Sequence, residues 1–336
     1  MSTADLLPRG GSAQGRRGFT IIEALITMVI VGLMTLVIER TVSGVTDTER
    51  LMRAIRNTAE RGQKATYHLR DIVTSGRKVY GNDAVGTGYL AKLDVTRYPI
   101  LAGSRLPVVD EGAQLGPDDV GVPKTGNVLL FVREADAARC IADPATKLVR
   151  TVDAYRFVCC YLSQSNRSLL ASGTKALDLI EWRSHAYPSY PQVTKIVDAT
   201  QKKKVVADLY NRYGYDYIWD PGAAVASAFY GIDGLGNISA APTAVTSIPE
   251  DLNVSGGGRF VGANLEVART DTTSRIRQSV FTTDLPANWV PNNFEVKIAG
   301  SSGARKVWIR MTVEQQAAAG RVPAQDTTVV ATLRDL

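Results

Sequence analysis

Residues 19–38 read FTIIEALITMVIVGLMTLVI, twenty positions carrying a single charge at Glu23. As a helix rising about 1.5 Å per residue they span about 30 Å, the thickness of a bilayer's hydrocarbon core. Glu39 and Arg40 stop the run, and no other stretch of the 336-residue chain is as apolar over that length. Ahead of it lies a polar stretch, MSTADLLPRGGSAQGRRG, ending in Arg16, Arg17 and Gly18. Cationic residues stay on the cytoplasmic side of a span. The bulk of the chain, from about residue 40, is therefore expected outside a bacterial inner membrane.

Three readings of this segment compete on physical grounds. A cleaved secretory signal has an apolar region of about 7–15 residues before a small-x-small site. This run is longer, and ERTVSGV after Ile38 offers no such site. A twin-arginine signal accounts for Arg16, Arg17 and Phe19, but it too is cleaved after the run and leaves Glu23 unexplained. A plain signal anchor accounts for everything except an acid inside the span, which costs roughly a few kcal/mol unless paired.

Gly18-Phe19-Thr20-Ile21-Ile22-Glu23, behind a short basic leader and ahead of an apolar helix, resembles the processing motif of type IV pilins and type II secretion pseudopilins. The resemblance implies cleavage between Gly18 and Phe19 by a membrane aspartic peptidase, the prepilin peptidase, and then N-methylation of Phe19. Lacking a side chain, Gly18 lets the backbone enter a protease cleft closely. The resemblance also implies that Glu23 pairs with the N-terminal amine of a neighbouring subunit. Such a pair removes the cost of a carboxylate in apolar surroundings and sets axial register. The alternative for Glu23 is snorkelling toward the headgroups, about one turn inside the span.

Past the span the helical period continues. Leu51, Ile55, Ala59, Gly62, Leu69, Ile72 and Val73 recur every three to four residues, with Arg53, Arg56, Glu60 and Lys64 mainly on the other side. Glu49–Arg53 and Glu60–Lys64 are favourable i,i+4 pairs. Ser75-Gly76 offers a stop. One helix from about Thr20 to Ser75 would be roughly 85 Å long, with Gly32, Gly44 and Gly62 as weak points. Many major pilins carry a kinking proline near the end of the apolar segment, whereas residues 19–98 contain none.

After Gly76 the pattern turns extended. Val128–Arg133, Tyr155–Leu162, Ala176–Arg183, Arg259–Ala268, Ser274–Thr283, Phe294–Ala299, Lys306–Val313 and Thr327–Leu333 read as strands, rich in Val, Ile and aromatics between turn residues. The expected fold is α+β: a long N-terminal transmembrane and stem helix packed on an antiparallel β-sheet head. Lys306–Val313 with Asp326–Arg334 resembles the closing hairpin of larger minor pilins and J-class pseudopilins, and Tyr155–Val158 an internal strand of that group. The expected divisions are a cleaved leader (1–18), the transmembrane half of the helix (19–38), its amphipathic half (39–76) and a head (77–336). Insertions near 82–125 and 185–258 are expected to hold little regular structure.

Chemistry-bearing clusters are few. His68 and His185 have no partners at metal-ligand spacing, so neither a metal nor a cofactor is expected. Cys140, Cys159 and Cys160 would sit in a disulfide-permissive compartment. Neighbours on a strand face opposite ways, so at most one of Cys159 and Cys160 meets Cys140; the alternatives are a Cys140 bridge or buried thiols. Ser75–Lys78 fits S-x-x-K and Lys124–Gly126 fits K-T-G, but their separation is far too short for a penicillin-recognising fold. Asp118, Asp119, Asp216, Asp220 and Asp233 are loop acids without EF-hand spacing. Lys202, Lys203 and Lys204 followed by Tyr213 and Tyr215 form a candidate ligand surface, for single-stranded nucleic acid or a glycan by stacking. The competing reading is an exposed turn beside a Tyr-rich strand. Nucleic acid is not expected as a partner.

Composition bounds the rest. With 45% hydrophobic and 21% charged residues the chain is neither collagenous nor wholly disordered. Its net charge of +6 is too small to argue for nucleic-acid binding. The leader holds three arginines against one aspartate, so part of that excess is a topology signal. The expected function is a non-enzymatic minor pilin-like subunit that assembles into, initiates or caps a type IV pilus or type II secretion pseudopilus. Its expected partners are the prepilin peptidase, the inner membrane and other pilins or pseudopilins met through the N-terminal helix. A head this large sits more easily at a tip or in an initiation complex than along a shaft. The rival is a signal-anchored periplasmic enzyme or binding protein.

Overall fold

The computed structural model describes residues 20–112, 114–116, 124–168, 175–255, 259–260, 266–267, 294–315 and 323–335. The chain divides into two compact units, Met1–Arg50 and Leu51–Leu336. Helix α1, Ile21–Thr74, runs through the boundary between them. Its length follows from the missing prolines, and its threonines satisfy their hydroxyls on the helix's own backbone. Thr27, Thr35, Thr41, Thr46, Thr48, Thr58 and Thr66 each donate to the carbonyl four residues back, at 2.7–2.9 Å. No polar side chain is thereby left seeking a partner along an apolar surface. The helix ends where expected: the Ser75 hydroxyl donates to Ile72 O at 2.8 Å. A Cβ at Gly76 would lie 2.4 Å from Leu333 Cδ1, so the chain turns there against another strand.

Within the second unit the elements follow in order: β1 (Gly76–Tyr80), α2 (Ala84–Leu90), β2 (Val109–Asp110), β3 (Val128–Asp143), β4 (Leu148–Ser168), β5 (Lys175–Pro188), α3 (Tyr190–Thr194), α4 (Ala199–Asn211), β6 (Tyr217–Trp219) and β7 (Phe229–Gly231). Then come α5 (Leu252–Ser255), β8 (Arg259–Phe260), β9 (Glu266–Val267), β10 (Phe294–Ala299), β11 (Arg305–Glu314) and β12 (Ala324–Leu333). The main sheet runs β1-β3-β4-β5-β9-β11-β10-β2, with β12 on β11 and β8 on β5. Every pairing in it is antiparallel except the two-residue contact of β10 with β2. This is the α+β order expected, including the closing β11–β12 hairpin and an internal β4 between β3 and β5. The expected strand Ser274–Thr283 and the middle of Arg259–Ala268 lie outside the described residues.

Alternation along β4 explains why the sheet is covered on both faces. Val158, Cys160 and Leu162 point to one side, where Ala65, Leu69, Ile72 and Val73 of α1 meet Phe131, Leu179, Val296, Ile309 and Leu333. Here α1 comes close enough to β12 that a Cβ at Gly62 would lie 2.9 Å from Thr327 Cγ2. Gly62 is thus a close-packing position and the helix continues through it. Phe157, Cys159 and Tyr161 point to the other side, into an aromatic core with Tyr80, Tyr89, Trp182, Tyr187, Trp219 and Phe229. Burying each tryptophan contributes about 4–6 kcal/mol of hydrophobic transfer. Much of that second core comes from the segments expected to be decorations.

Residues 199–211 correct the sequence reading most clearly. Rather than an exposed turn, they form α4, N-capped by Asp198, whose carboxylate accepts from Thr200 N and Gln201 N at 2.8 and 3.0 Å. Val205, Val206 and Leu209 lie on one face of it and pack on Ala138, Cys140 and Val152, where the β3–β4 hairpin extends past β1. That stretch of β3 is an open edge, and side chains cap it. Arg139 N donates to Tyr213 Oη at 2.9 Å, Tyr213 Oη donates to Arg139 O at 3.1 Å, and Ile141 N donates to Asp208 Oδ2 at 2.9 Å. Occupied edge groups cannot template another strand.

Candidate functional site

Residues 20–38 present an apolar surface. Ile21, Ile22, Leu25, Ile26, Met28, Val29, Ile30, Leu33, Met34, Val37 and Ile38 are all exposed in the chain on its own. Among the described residues α1 is the one helix long and apolar enough to cross a membrane. The four residues of the expected processing segment that carry its chemistry, Arg16, Arg17, Gly18 and Phe19, lie outside the described residues.

Glu23 lies within the described residues and takes part in a local hydrogen-bond motif. Thr20 N and Thr20 Oγ1 both donate to Glu23 Oε2 at 3.1 Å, and Glu23 N donates to Thr20 Oγ1 at 3.3 Å. With Thr20 as N-cap and Glu23 three residues on, this is a reciprocal capping box. It fixes the first turn of α1 and puts the acid beside the positive end of the helix dipole. The signal, T-x-x-E ahead of an apolar run, was present in the sequence.

The remaining candidates are dispersed. The cysteines are free and buried, so the Cys140 bridge weighed from the sequence is not formed. Cys140 lies opposite Arg150 in the β3–β4 register, whereas Cys159 lies opposite Leu130, at the other end of the ladder. Cys160 and Cys159 face opposite cores, and Cys140 a third. Burial pushes the Cys140 thiol up to about 12 and raises the other two as well. Thiolates are the reactive form. A thiol-specific alkylating agent at neutral pH is therefore expected to leave all three untouched in the folded chain, and to modify all three in denaturant without reductant. Only one modified thiol in denaturant would establish a disulfide.

Lys204 and the tyrosines line different depressions. Lys204 lines a depression with Ile141 and Val149 and stands 3.7 Å from Asp143. Tyr213 and Tyr215 line a different cleft, with Arg156, His185, Asp216 and Asp251. Ser75, Lys78 and Lys124 are likewise apart: Lys78 Nζ donates to Pro221 O and Lys124 Nζ to Asp110 Oδ2. Asp220 and Asp233 cap their own turns, accepting from Gly222 N and from Leu235 N and Asn237 N. Asp118 and Asp119 lie outside the described residues. No group of three or more His, Cys, Asp or Glu side chains gathers for a metal among the described residues.

His68 has a partner that spacing did not reveal. Its Nε2 lies 2.7 Å from Glu181 Oε2, and the Arg183 guanidinium Nε donates to Glu181 Oε1 at 2.6 Å. A carboxylate only accepts, so Nε2 carries the proton. Glu181 is 2% exposed and His68 half-exposed, so this is a hydrogen-bonded link between α1 and a buried carboxylate of β5 within the second unit.

An exposed apolar helix, capped at its first turn and followed by an antiparallel head, defines a membrane-anchored protein of pilin-like arrangement. Residues 14–38 match the family model described as the prokaryotic N-terminal methylation motif. The match is confined to that segment and supports its resemblance to the processing motif of type IV pilins and type II secretion pseudopilins. No curated protein and no solved structure matches the chain.

Proposed function

We propose that the protein is a minor pilin-like structural subunit that assembles into, initiates or caps a type IV pilus or a type II secretion pseudopilus. The observation that carries this reading is the methylation motif at residues 14–38, set directly against the exposed apolar face of α1. Prepilin peptidase removes residues 1–18 and leaves Phe19 as the N-terminus, which is then methylated. Residues 19–38 hold the subunit in the inner membrane, with Arg16 and Arg17 on the cytoplasmic side before cleavage and the head in the periplasm. On extraction the same apolar face packs among the helices of neighbouring pilins. Residues 39–76 connect it to the head, residues 77–336, which carries the surface specific to this subunit. The role is one of assembly, without a reaction of its own.

Mass spectrometry of the N-terminus, on protein isolated from membranes of a cell with an active prepilin peptidase, tests this. The expected mature chain begins at Phe19 and carries one added methyl group. A chain that keeps residues 1–18, or one cut after the apolar run, returns the protein to the signal-anchored class or to the secreted one.

A further inference from the structure

The cleft that gathers Tyr213 and Tyr215 is built differently from the rest of the head surface. Its volume is about 620 Å³, and it lies between β4–β5, the segment 213–217 and the segment 244–251. Its floor holds Arg156, whose guanidinium Nε is buried and has no hydrogen-bond partner. Asp251 Oδ2 lies 3.6 Å from Nη2 at the other end of that guanidinium. A buried donor without an acceptor is unfavourable, and an oxygen of a bound molecule would offset that cost. On one wall the Tyr213 and Tyr215 rings lie nearly parallel, 11° apart with centroids 6.1 Å from each other. Exposed His185 and Asp216 complete the rim.

We infer that this cleft binds a short neutral saccharide. Each part of that statement follows from the lining. Both signs of charge are present: Arg156 and His185 donate, while Asp216 and Asp251 only accept. A hydroxyl group does both, so a polyhydroxylated ligand satisfies acids and bases together. A phosphodiester or carboxylate ligand satisfies only the bases and is repelled by two carboxylates. The lysines that a nucleic acid would use are elsewhere, Lys204 lining a separate depression beside Asp143. The half-buried tyrosines offer amphipathic surface to the C–H side of a pyranose, with the Arg212 guanidinium already over one face of Tyr213, 5.3 Å from its centroid, and little entropic cost because the rings are ordered. Tyr213 is held by its hydroxyl bonds to Arg139 at the β3 edge, which fixes the wall before any ligand arrives.

The test uses the full processed chain in detergent micelles. It is applied to a microarray of immobilised di- to tetrasaccharides, neutral and uronic-acid-bearing, beside a single-stranded oligothymidylate. A retained saccharide is then titrated in free form. The expected result is retention of a neutral saccharide, weakened about 10-fold or more by Asp216→Asn or His185→Ala, since each removes a hydrogen-bonding partner from the rim. Both residues are exposed, and unchanged thermal unfolding of the variants verifies their folding. Lys204→Ala serves as the control and is expected to leave retention unchanged. The inference is overturned if no saccharide is retained, if both cleft variants bind as the parent does, or if the oligothymidylate or the acidic saccharides are preferred.

Discussion

Replacing Glu181 by Leu is expected to cost the folded head about 3–5 kcal/mol, the range for breaking a buried ion pair by removing one partner. The size follows from what stays behind. His68 on α1 and Arg183 on β5 both direct hydrogen bonds at the Glu181 carboxylate. The Arg183 side chain is 13% exposed, so its charge would have little water to turn to. Glu181→Gln keeps the volume and one acceptor and is expected to lose less, about 1–2 kcal/mol. Urea unfolding of the full chain in micelles, followed by tryptophan fluorescence, reads both; a loss below about 1 kcal/mol for the leucine variant would show that the pair contributes nothing of consequence.

The same site gives a pH dependence with a definite sign. Burial alone would raise the Glu181 carboxyl, but the His68 hydrogen bond and the Arg183 charge outweigh it and hold it below the usual range. As pH falls, the unfolded chain therefore takes this proton first, near the ordinary glutamate value of about 4.3. The folded chain takes it only at lower pH. Stability from this group is complete above that window and declines as pH drops through it. Glu181→Gln should flatten that part of the stability curve. An unchanged slope in the variant assigns the acid sensitivity to other carboxylates.

What could be read in the sequence depended on whether a pattern was local. The 54-residue α1 was legible because its apolar period, its lack of proline and its Ser75-Gly76 stop are all properties of neighbouring residues. The strands Phe294–Ala299 and Lys306–Val313 were legible for the same reason, each alternating between turn signals. By contrast α4 was obscured by Lys202–Lys204, three charges that drew attention from the Val205, Val206 and Leu209 face behind them. The second aromatic core was invisible for a different reason. Tyr89, Trp219 and Phe229 come from short elements in segments rich in Gly and Pro, and only the long-range fold over β4 makes them a core. Nor could any spacing rule bring His68 to Glu181, 113 residues away. The thiols teach the converse lesson. Strand alternation correctly put Cys159 and Cys160 on opposite faces, yet the choice between bridge and free thiol needed the register, which puts Cys140 at the far end of the β3–β4 ladder.

Substitutions at Thr20 and Glu23 are expected to separate two functions of one carboxylate, and their effects on assembly should be all or none. In the single chain Glu23 caps α1 through Thr20. In a filament the proposed partner is the N-terminal amine of a neighbouring Phe19. The two interactions differ greatly in size. Losing a capping box costs about 1 kcal/mol, too little to unseat a helix whose apolar face is embedded in lipid or packed among others. An unpaired charge in a packed apolar interior costs several kcal/mol, enough to exclude a subunit. Thr20→Val breaks the cap and keeps the charge, so incorporation should persist. Glu23→Gln keeps an acceptor for the cap and loses the charge, and Glu23→Val loses both; neither should enter filaments, although all three variants should be processed and remain in the membrane. Immunoblots of sheared filaments against the membrane pool read the outcome. Normal incorporation of Glu23→Gln together with failure of Thr20→Val would reverse the ranking and make the cap the essential interaction. Normal incorporation of Glu23→Val would leave the carboxylate merely reaching for the headgroups.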